Sequence, residues 1–256
     1  MKFFRTNAAE MPFLDHLEEL RWRLIWSLGT LVVFAAIGFG LVAKFDVLGL
    51  LVAPIQPFLQ GSKLKYLSPT EPFFITIKLG VLVGIILGAP VVIYHIWSFL
   101  SPALKPGEKK AILPSLYLGV LLFVAGAAMA YYIVLPVTLR FTMGFQTESL
   151  QQNIVIGEYL SMVVRLLLAF GIVFEMPVVI LALSALGVVT PEFLASKRRH
   201  AVLIITVACS IITPGDVVTI TLLMMVPLVL LYEMSIFLSK MVTRRRLAAS
   251  DAAMEG

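Results

Sequence analysis

Charge is scarce in this sequence: only 14% of its 256 residues are Asp, Glu, Lys or Arg. An average soluble domain carries about 25%, so the chain lacks the polar surface that a water-soluble globule needs. Hydrophobic residues make up 60% of the sequence, and the mean hydropathy is +0.99. These values exclude a soluble enzyme or binding domain and indicate a polytopic membrane protein in a lipid bilayer.

Cysteine and the common catalytic motifs are also scarce or absent. The one cysteine, Cys209, lies in an apolar run, so no intramolecular disulfide is possible and nothing favours a secreted fold. The sequence contains no Gly-rich phosphate loop, HExxH, CxxC or GxSxG, and His16 in HLEEL lacks the second histidine of a zinc-binding helix. The sequence therefore predicts no enzyme, no catalytic residue, no metal and no cofactor.

Long uncharged runs are the dominant feature of the chain. A helix needs about 20 apolar residues to cross a hydrocarbon core of about 30 Å. Leu24–Ala43 is such a run, and it is too long for the apolar part of a cleaved signal peptide. We predict an all-α, polytopic integral membrane protein with one domain over residues 1–240 and a disordered tail over 241–256. The six predicted spans are residues 24–43, 76–98, 112–137, 162–185, 201–214 and 217–238.

The distribution of basic residues predicts the orientation of these spans. Six spans place both termini on one side, and Lys and Arg are concentrated in cytoplasmic loops. Of the 20 basic residues, 14 fall on the side of the termini: Lys2, Arg5, Arg21, Arg23, Lys105, Lys109, Lys110, Lys197, Arg198, Arg199, Lys240, Arg244, Arg245 and Arg246. Both termini are therefore predicted to be cytoplasmic, with Trp22, Trp26 and Trp97 near the same interface. The net charge of +5 then reflects loops at one membrane face and not a nucleic-acid partner.

Several predicted spans are short or contain proline. The run 201–215 ends in TPGD and reaches only about 20 Å at 1.5 Å per residue, so spans five and six must thin the bilayer or lie behind longer helices. Proline removes a backbone donor and kinks a helix, which predicts a curved wall of helices. The prolines in or near spans are Pro90, Pro114, Pro136, Pro177 and Pro227. The first outer loop should contain an interfacial helix over Val47–Val52, stopped by Pro54.

An acidic cluster precedes the first span and includes Asp15, Glu18 and Glu19. Glu19 and Arg23 have the i,i+4 spacing of a helical ion pair, worth about 0.2–0.5 kcal/mol. Asp15 and Glu19 have the same spacing and repel each other. The cluster is thus either an ordinary paired helix surface or a site for positive charge from another chain.

Two further glutamates have alternative interpretations. Glu108, among lysines in the first inner loop, is either a solvated loop carboxylate or a binding residue. Glu175 lies midway along span four, where burial of an ionisable group costs at least about 2.5 kcal/mol and usually marks a function. Its alternative role is an internal hydrogen bond that fixes packing, and Phe174 and Pro177 beside it suggest a kink that opens space. Phe99 would by default be a lipid-facing or packing residue.

In order and spacing, the motifs of the chain resemble those of TatC, the multispanning subunit of the twin-arginine protein translocase. The resemblance covers residues 12–240 and rests on HLEELRWRL, APIQPF, PFFITIKL, APVVIYHIWSFLSPAL, AYYIVLP, AFGIVFEMPVVI and TPGD. Each motif alone is weak, whereas the series is specific. The chain departs after TPGD, where many relatives carry Ser-Gln and this sequence has Thr219–Ile220.

The resemblance implies a glove-shaped, six-span protein of a bacterial-type cytoplasmic (inner) membrane, with both termini inside. It implies a receptor for signal peptides with two consecutive arginines, which helps export folded precursor proteins with the protonmotive force. The implied signal-peptide-binding residues are Glu19, Arg21, Phe99 and Glu108. The chemistry fits, because the rigid donor fork of a guanidinium suits bidentate binding by a carboxylate and Lys does not reproduce it.

The resemblance also implies partner contacts. Glu175 is expected to serve as an intramembrane polar site for partners, and Pro54 and Asp216 as functional residues of the outer loops. The implied partners are TatA-type and TatB-type single-span subunits and further copies of the chain in a multi-subunit complex. The alternative function is an ion-coupled small-solute secondary transporter with Glu175 as its proton site, although such transporters usually show broken helices at a midplane site and clear internal repeats.

Overall fold

The structure is a computed structural model that describes residues 13–59, 61–100, 112–144, 153–212 and 218–254. Within these ranges the regular elements are helices, apart from one isolated β-bridge between Lys65 and Val155. The α-helices are α1 (Phe13–Lys44), α2 (Val47–Val52), α3 (Glu71–Leu100), α4 (Ile112–Met129), α5 (Leu135–Met143), α6 (Ile156–Phe174), α7 (Met176–Ala185), α8 (Pro191–Ser196), α9 (Arg198–Ile212) and α10 (Val218–Met254). The all-α prediction is confirmed.

Five stretches of helix in the described part of the chain are long and apolar enough to cross a membrane. They are Leu17–Lys44, Glu71–Phe99, Pro114–Met143, Ile156–Ala185 and Ile220–Arg244. The chain is therefore a multi-pass membrane protein. Helix α9 has 15 residues and a length of about 22 Å at 1.5 Å per residue, so the sixth span and the sidedness of the termini stay predictions.

Helices α1 and α3 run antiparallel and approach closely through small residues. A Cβ added at Gly84 would lie 2.5 Å from the Cα of Ala35, and one added at Gly38 would lie 2.2 Å from the carbonyl oxygen of Gly80. Only glycine allows this separation, which resembles the small-residue contacts of other membrane helices. The crossing sets the start of α1 beside the end of α3. We call this end of the bundle the proximal end and the opposite end the distal end.

Two membrane helices are interrupted where the sequence contains proline. Helix α6 ends at Phe174 and α7 begins at Met176, with Pro177 in its first turn. The interruption therefore falls at Glu175, as the sequence predicts. A second interruption is the π-helical turn Ala130–Val134, which joins α4 to α5. The extra residue of a π turn and the kink at a proline each change the direction of the side chains that follow, so both breaks redirect side chains within long spans.

The distal end is closed by hydrogen bonds between its two loops and the helices beside them. Helix α2 has the predicted bounds Val47–Val52. In its last turn, the carbonyls of Leu50 and Leu51 accept hydrogen bonds from the hydroxyls of Tyr131 and Tyr159, at 2.6 and 2.7 Å respectively. Residues 64–66 and 153–156 are joined by the β-bridge. The two loops at the distal end thus form one connected cap, which we call the distal cap.

Helix α10 packs along α7 and closes the core on the other side. The hydroxyls of Ser184 and Ser239, both buried, lie 2.8 Å apart, and Tyr232 donates to the carbonyl of Leu194 at 2.9 Å. The helix continues to Met254, whereas the sequence analysis predicted a disordered tail from residue 241. The reason lies in the composition, because Arg, Leu and Ala are strong helix formers and dominate residues 244–249.

Candidate functional site

A half-open cavity of about 390 Å³ lies at the proximal end, between α1, α3 and the α6–α7 break. We call it the proximal cavity. It is lined by Leu20, Arg23, Leu24, Ser27, Ile93, His95, Ile96, Trp97, Phe99, Glu175, Val178, Val179, Ala182 and Leu183. Its wall is mainly aliphatic and aromatic with four polar side chains, which is the usual composition of a pocket that binds an apolar group and orients it.

Glu175 reaches this cavity because the helix is interrupted at its own position. Its backbone N–H bonds to the Ile172 carbonyl at 3.1 Å, and its carbonyl accepts from Val178 and Val179. The absence of a side chain at Gly119 makes room for the carboxylate: a Cβ there would lie 3.0 Å from Glu175 Oε2. Oε1 is buried and has no hydrogen-bond partner among the described residues. A buried polar atom without a partner costs about 1–3 kcal/mol, so Oε1 adds no hydrogen bond to the packing and can accept one from a ligand.

His95 is a second polar group of the proximal cavity. Its Nδ1 is likewise buried and without a hydrogen-bond partner in the described part of the chain. The sequence analysis missed His95, although an imidazole inside an uncharged run is a signal that could have drawn attention to it. Trp97, predicted to be an interfacial indole, is only 3% exposed and packs in the core. Trp22 and Trp26 are 55% and 63% exposed, as expected for residues of the interface.

Glu19 is connected to the proximal cavity through its contact with Arg23. Its Oε1 accepts hydrogen bonds from Nε of Arg23, at 2.8 Å, and from the Nη2 atom of the same guanidinium. Both side chains are about a quarter exposed, and Arg23 itself lines the cavity. The i,i+4 pair considered in the sequence analysis is therefore formed. An incoming cation must share the Glu19 carboxylate with Arg23 or take it over.

The other predicted site residues are distributed over the molecule. Phe99 lines the proximal cavity with Glu175, so the structure brings these two together with Arg23, the partner of Glu19. Arg21 is exposed and does not line the cavity. Pro54 lies at the distal end, in the turn after α2. Glu108 and Asp216 lie outside the described residues.

The proximal cavity offers groups that can bind and orient a ligand. The described residues contain no group of His, Cys, Asp and Glu side chains that could hold a metal ion. The proximal cavity instead offers an apolar wall, a buried carboxylate oxygen and an imidazole nitrogen that can each accept a hydrogen bond, and a carboxylate paired at its edge. A ligand that fits has an apolar body and a positively charged or donor-bearing end.

Comparison with known proteins gives a consistent result. The chain matches the TatC family, described as Sec-independent protein translocase protein, over residues 15–227. The Sec-independent protein translocase protein TatC of Aquifex aeolicus is 44% identical over 238 residues, or 92% of this chain and 98% of that protein. The TatC protein of Escherichia coli is 37% identical over 231 residues, or 90% of this chain and 88% of that protein.

Solved structures agree with the sequence comparison. A crystal structure of a twin-arginine translocase receptor, TatC, is 44% identical to this chain with a TM-score of 0.78, and the match covers 89% of this chain and 99% of that one. Family, fold and membrane helices thus point the same way over most of the sequence. The chain belongs to the TatC family of Sec-independent protein translocase proteins.

Proposed function

We propose that this protein is the twin-arginine signal-peptide receptor and core scaffold of a Tat translocase. The main support for the proposal is that Glu19 pairs with Arg23, which lines the proximal cavity, in a chain of the TatC family. A twin-arginine signal has a cationic segment followed by an apolar one. The Glu19 carboxylate suits the first segment, and the apolar wall around Phe99 suits the second.

The selectivity for arginine comes from carboxylate geometry. A guanidinium donates two parallel hydrogen bonds to one carboxylate, whereas an ammonium binds as a point charge. Hydrogen bonds to charged groups contribute about 1.5–3 kcal/mol each when partly shielded. Glu108 is proposed as the second carboxylate and Arg21 as a further residue of the same surface, both from the family resemblance.

Glu175 is proposed to act after recognition. Its buried oxygen without a hydrogen-bond partner suits contact with a single-span subunit of the TatA or TatB type that enters the membrane-facing side of the cavity. The complete complex then holds several subunits and exports folded precursors with the protonmotive force. Pro54 and Asp216 are proposed to support assembly from the outer loops, in a cytoplasmic membrane with both termini inside.

Peptide binding tests the proposal directly. A labelled signal peptide with Arg-Arg and its Lys-Lys counterpart are titrated against the purified protein in nanodiscs, and again against Glu19→Ala and Glu108→Ala. We expect the Arg-Arg peptide to bind at least about tenfold more tightly, since one charged hydrogen bond contributes about 1.5 kcal/mol or more and about 1.4 kcal/mol is a factor of ten. Either substitution should reduce this preference.

Glu18→Ala is the matched control, because Glu18 is the neighbouring carboxylate on α1 and is exposed. Its loss should leave the preference for Arg-Arg intact. If both peptides bind alike and neither Glu19 nor Glu108 matters, the acidic cluster is ordinary helix surface and the receptor proposal fails. The transporter alternative would then need testing with Glu175 as its proton site.

A further inference from the structure

A second cleft, of about 610 Å³, opens at the distal end between the first turns of α3 and α6. We call it the distal cleft. It is lined by Leu67, Glu71, Phe74, Ile75, Lys78, Val155, Gly157, Glu158, Ser161 and Arg165. None of these residues belongs to the proximal cavity, and the proposed function makes no use of them.

Two cations face the distal cleft from opposite walls. Lys78 lies seven residues into α3 and Arg165 nine residues into α6, so each is about 10–14 Å from the start of its helix at 1.5 Å per residue. Cationic side chains within a span are costly unless they are paired or reach the interface. Two of them on one cleft therefore require a source of negative charge.

The cations are not neutralised by described carboxylates. The ion pairs in the described ranges are Arg23–Glu19 and Arg198–Glu233. Lys78 donates to the neutral hydroxyl of Ser161 at 2.7 Å, and Arg165 makes no hydrogen bond or ion pair within those ranges. Both cationic ends thus keep donors available to a ligand.

The two acids that line the cleft have other roles. Glu71 accepts the backbone N–H groups of Leu67 at 2.7 Å and of Gly157 at 3.0 Å, so its carboxylate joins the two outer loops. Glu158 is exposed in the first turn of α6, where a negative charge stabilises the N-terminal end of the helix dipole. It is two turns, or about 10 Å, from Arg165 along the axis.

Exposed apolar side chains lead from the cations toward the middle of the bundle. Phe74 is 61% exposed beside Lys78, and Val81 is 42% exposed one turn further along α3. On the other wall Ile172, two turns beyond Arg165, is 63% exposed. A ligand that fits this surface carries its negative charge at the helix ends and hydrocarbon alongside the spans.

We propose that the distal cleft binds the phosphodiester of one anionic phospholipid between Lys78 and Arg165, with its acyl chains along the exposed apolar surface. Phosphate oxygens accept hydrogen bonds from the donor fork of Arg and the ammonium of Lys, the chemistry by which basic pockets between helices at the cytoplasmic side of a membrane bind anionic headgroups. The apolar walls favour a lipid over free phosphate. An anionic lipid is favoured over a zwitterionic one, because the cations Lys78 and Arg165 outnumber Glu158, the exposed carboxylate of the cleft.

Native mass spectrometry of the purified protein with defined lipids tests the proposal. Phosphatidylglycerol and phosphatidylcholine are added at equal concentration, and the first bound lipid is quantified. We expect an at least tenfold preference for phosphatidylglycerol, the factor that one charged hydrogen bond provides. The preference should fall in Lys78→Gln and in Arg165→Gln and be absent in the double variant. Lys78→Arg should restore it, because the charge returns.

Arg140→Gln is the control, since Arg140 is an exposed cation in the last turn of α5 and does not line the cleft. Thermal unfolding of each variant establishes that it is folded. Equal binding of the two lipids by the unchanged protein, or an equal loss in Arg140→Gln, would mean that lipid binds only as a general annulus and would overturn the proposal. Competition by millimolar inorganic phosphate would overturn the assignment to a lipid.

Discussion

The distal cap and the proximal cavity differ in how their polar groups are paired. At the distal end, Glu71 accepts two backbone N–H groups, and Tyr131 and Tyr159 each donate to a carbonyl of α2. At the proximal end, Glu175 and His95 each hold a buried atom without a partner among the described residues. Satisfied networks rigidify a structure, and unsatisfied ones retain capacity for a ligand. The distal cap therefore holds the two distal loops together, and the proximal cavity is available for recognition.

The crossing of α1 and α3 connects the two ends, and disrupting it should have the largest effect on stability and peptide binding. In Gly84→Ala the new Cβ would lie 2.5 Å from the backbone of α1 at Ala35, and backbone cannot move aside as a side chain can. We expect a loss of about 1–3 kcal/mol in stability and weaker binding of an Arg-Arg peptide, because α1 carries Glu19. Thermal unfolding in detergent and peptide titration measure the two effects.

Gly40→Ala is the control for this change. Gly40 also lies in a membrane helix, α1, but a Cβ there meets nothing within 4 Å. Its substitution should leave stability unchanged or raise it, because Ala is the better helix former by about 1 kcal/mol. Equal losses in Gly40→Ala and Gly84→Ala would contradict the assignment of the crossing to close backbone contact.

The distal cap can be weakened without touching the proximal cavity. Tyr159→Phe removes a hydrogen bond between two buried residues and leaves the Leu51 carbonyl unsatisfied, which should cost about 1–3 kcal/mol. Tyr131→Phe removes the equivalent bond to Leu50 at a more exposed place, so its effect should be smaller. Thermal unfolding ranks the two variants. Arg-Arg peptide affinity should be unchanged in both, and a fall in affinity would show that the two ends are coupled.

Removing the charge of Glu175 should stabilise the protein, in contrast to the changes at the distal cap. Glu175→Gln keeps the shape of a side chain whose Oε1 has no partner in the described ranges but no longer buries a potential charge. We expect the isolated protein to gain stability by about 1 kcal/mol, since an unpaired buried charge costs more than an unpaired neutral amide, to bind the signal peptide normally, and to transport poorly. Residues retained at the expense of stability are typical of functional sites.

Gly171→Ala controls for packing in the same helix. Its Cβ would lie 2.9 Å from the ring of Phe123, so it perturbs the α4–α6 contact without altering a charge. It should lower stability and reduce transport only in proportion to folded protein. If Glu175→Gln abolished peptide binding outright, the proposal that Glu175 acts only after recognition of the signal peptide would be wrong.

The sequence alone could predict those features that depend on residues adjacent in the chain. Pro54 and Pro177 mark the end of α2 and the break at Glu175, because proline acts on the residues next to it. The contact of Gly119 with Glu175 and the insertion of Trp97 into the core could not be predicted, since they depend on which faces of distant helices meet. The helical continuation of α10 could not be predicted with the spans, because a polar segment beyond a membrane helix is also typical of disorder.

The smallest expected effect concerns the pairing of Glu19 with Arg23. If Glu19 receives the peptide guanidinium, Arg23 competes for the same carboxylate, and Arg23→Gln releases it. Exposed i,i+4 pairs contribute about 0.3–0.5 kcal/mol, so the Arg-Arg peptide should bind about twofold more tightly. Arg23→Lys keeps a competing cation without the guanidinium fork, so its affinity should lie between those of Arg23→Gln and the unchanged protein. Weaker binding by Arg23→Gln would instead show that Arg23 orients Glu19 for recognition, and the proximal pair would then be part of the receptor and not its competitor.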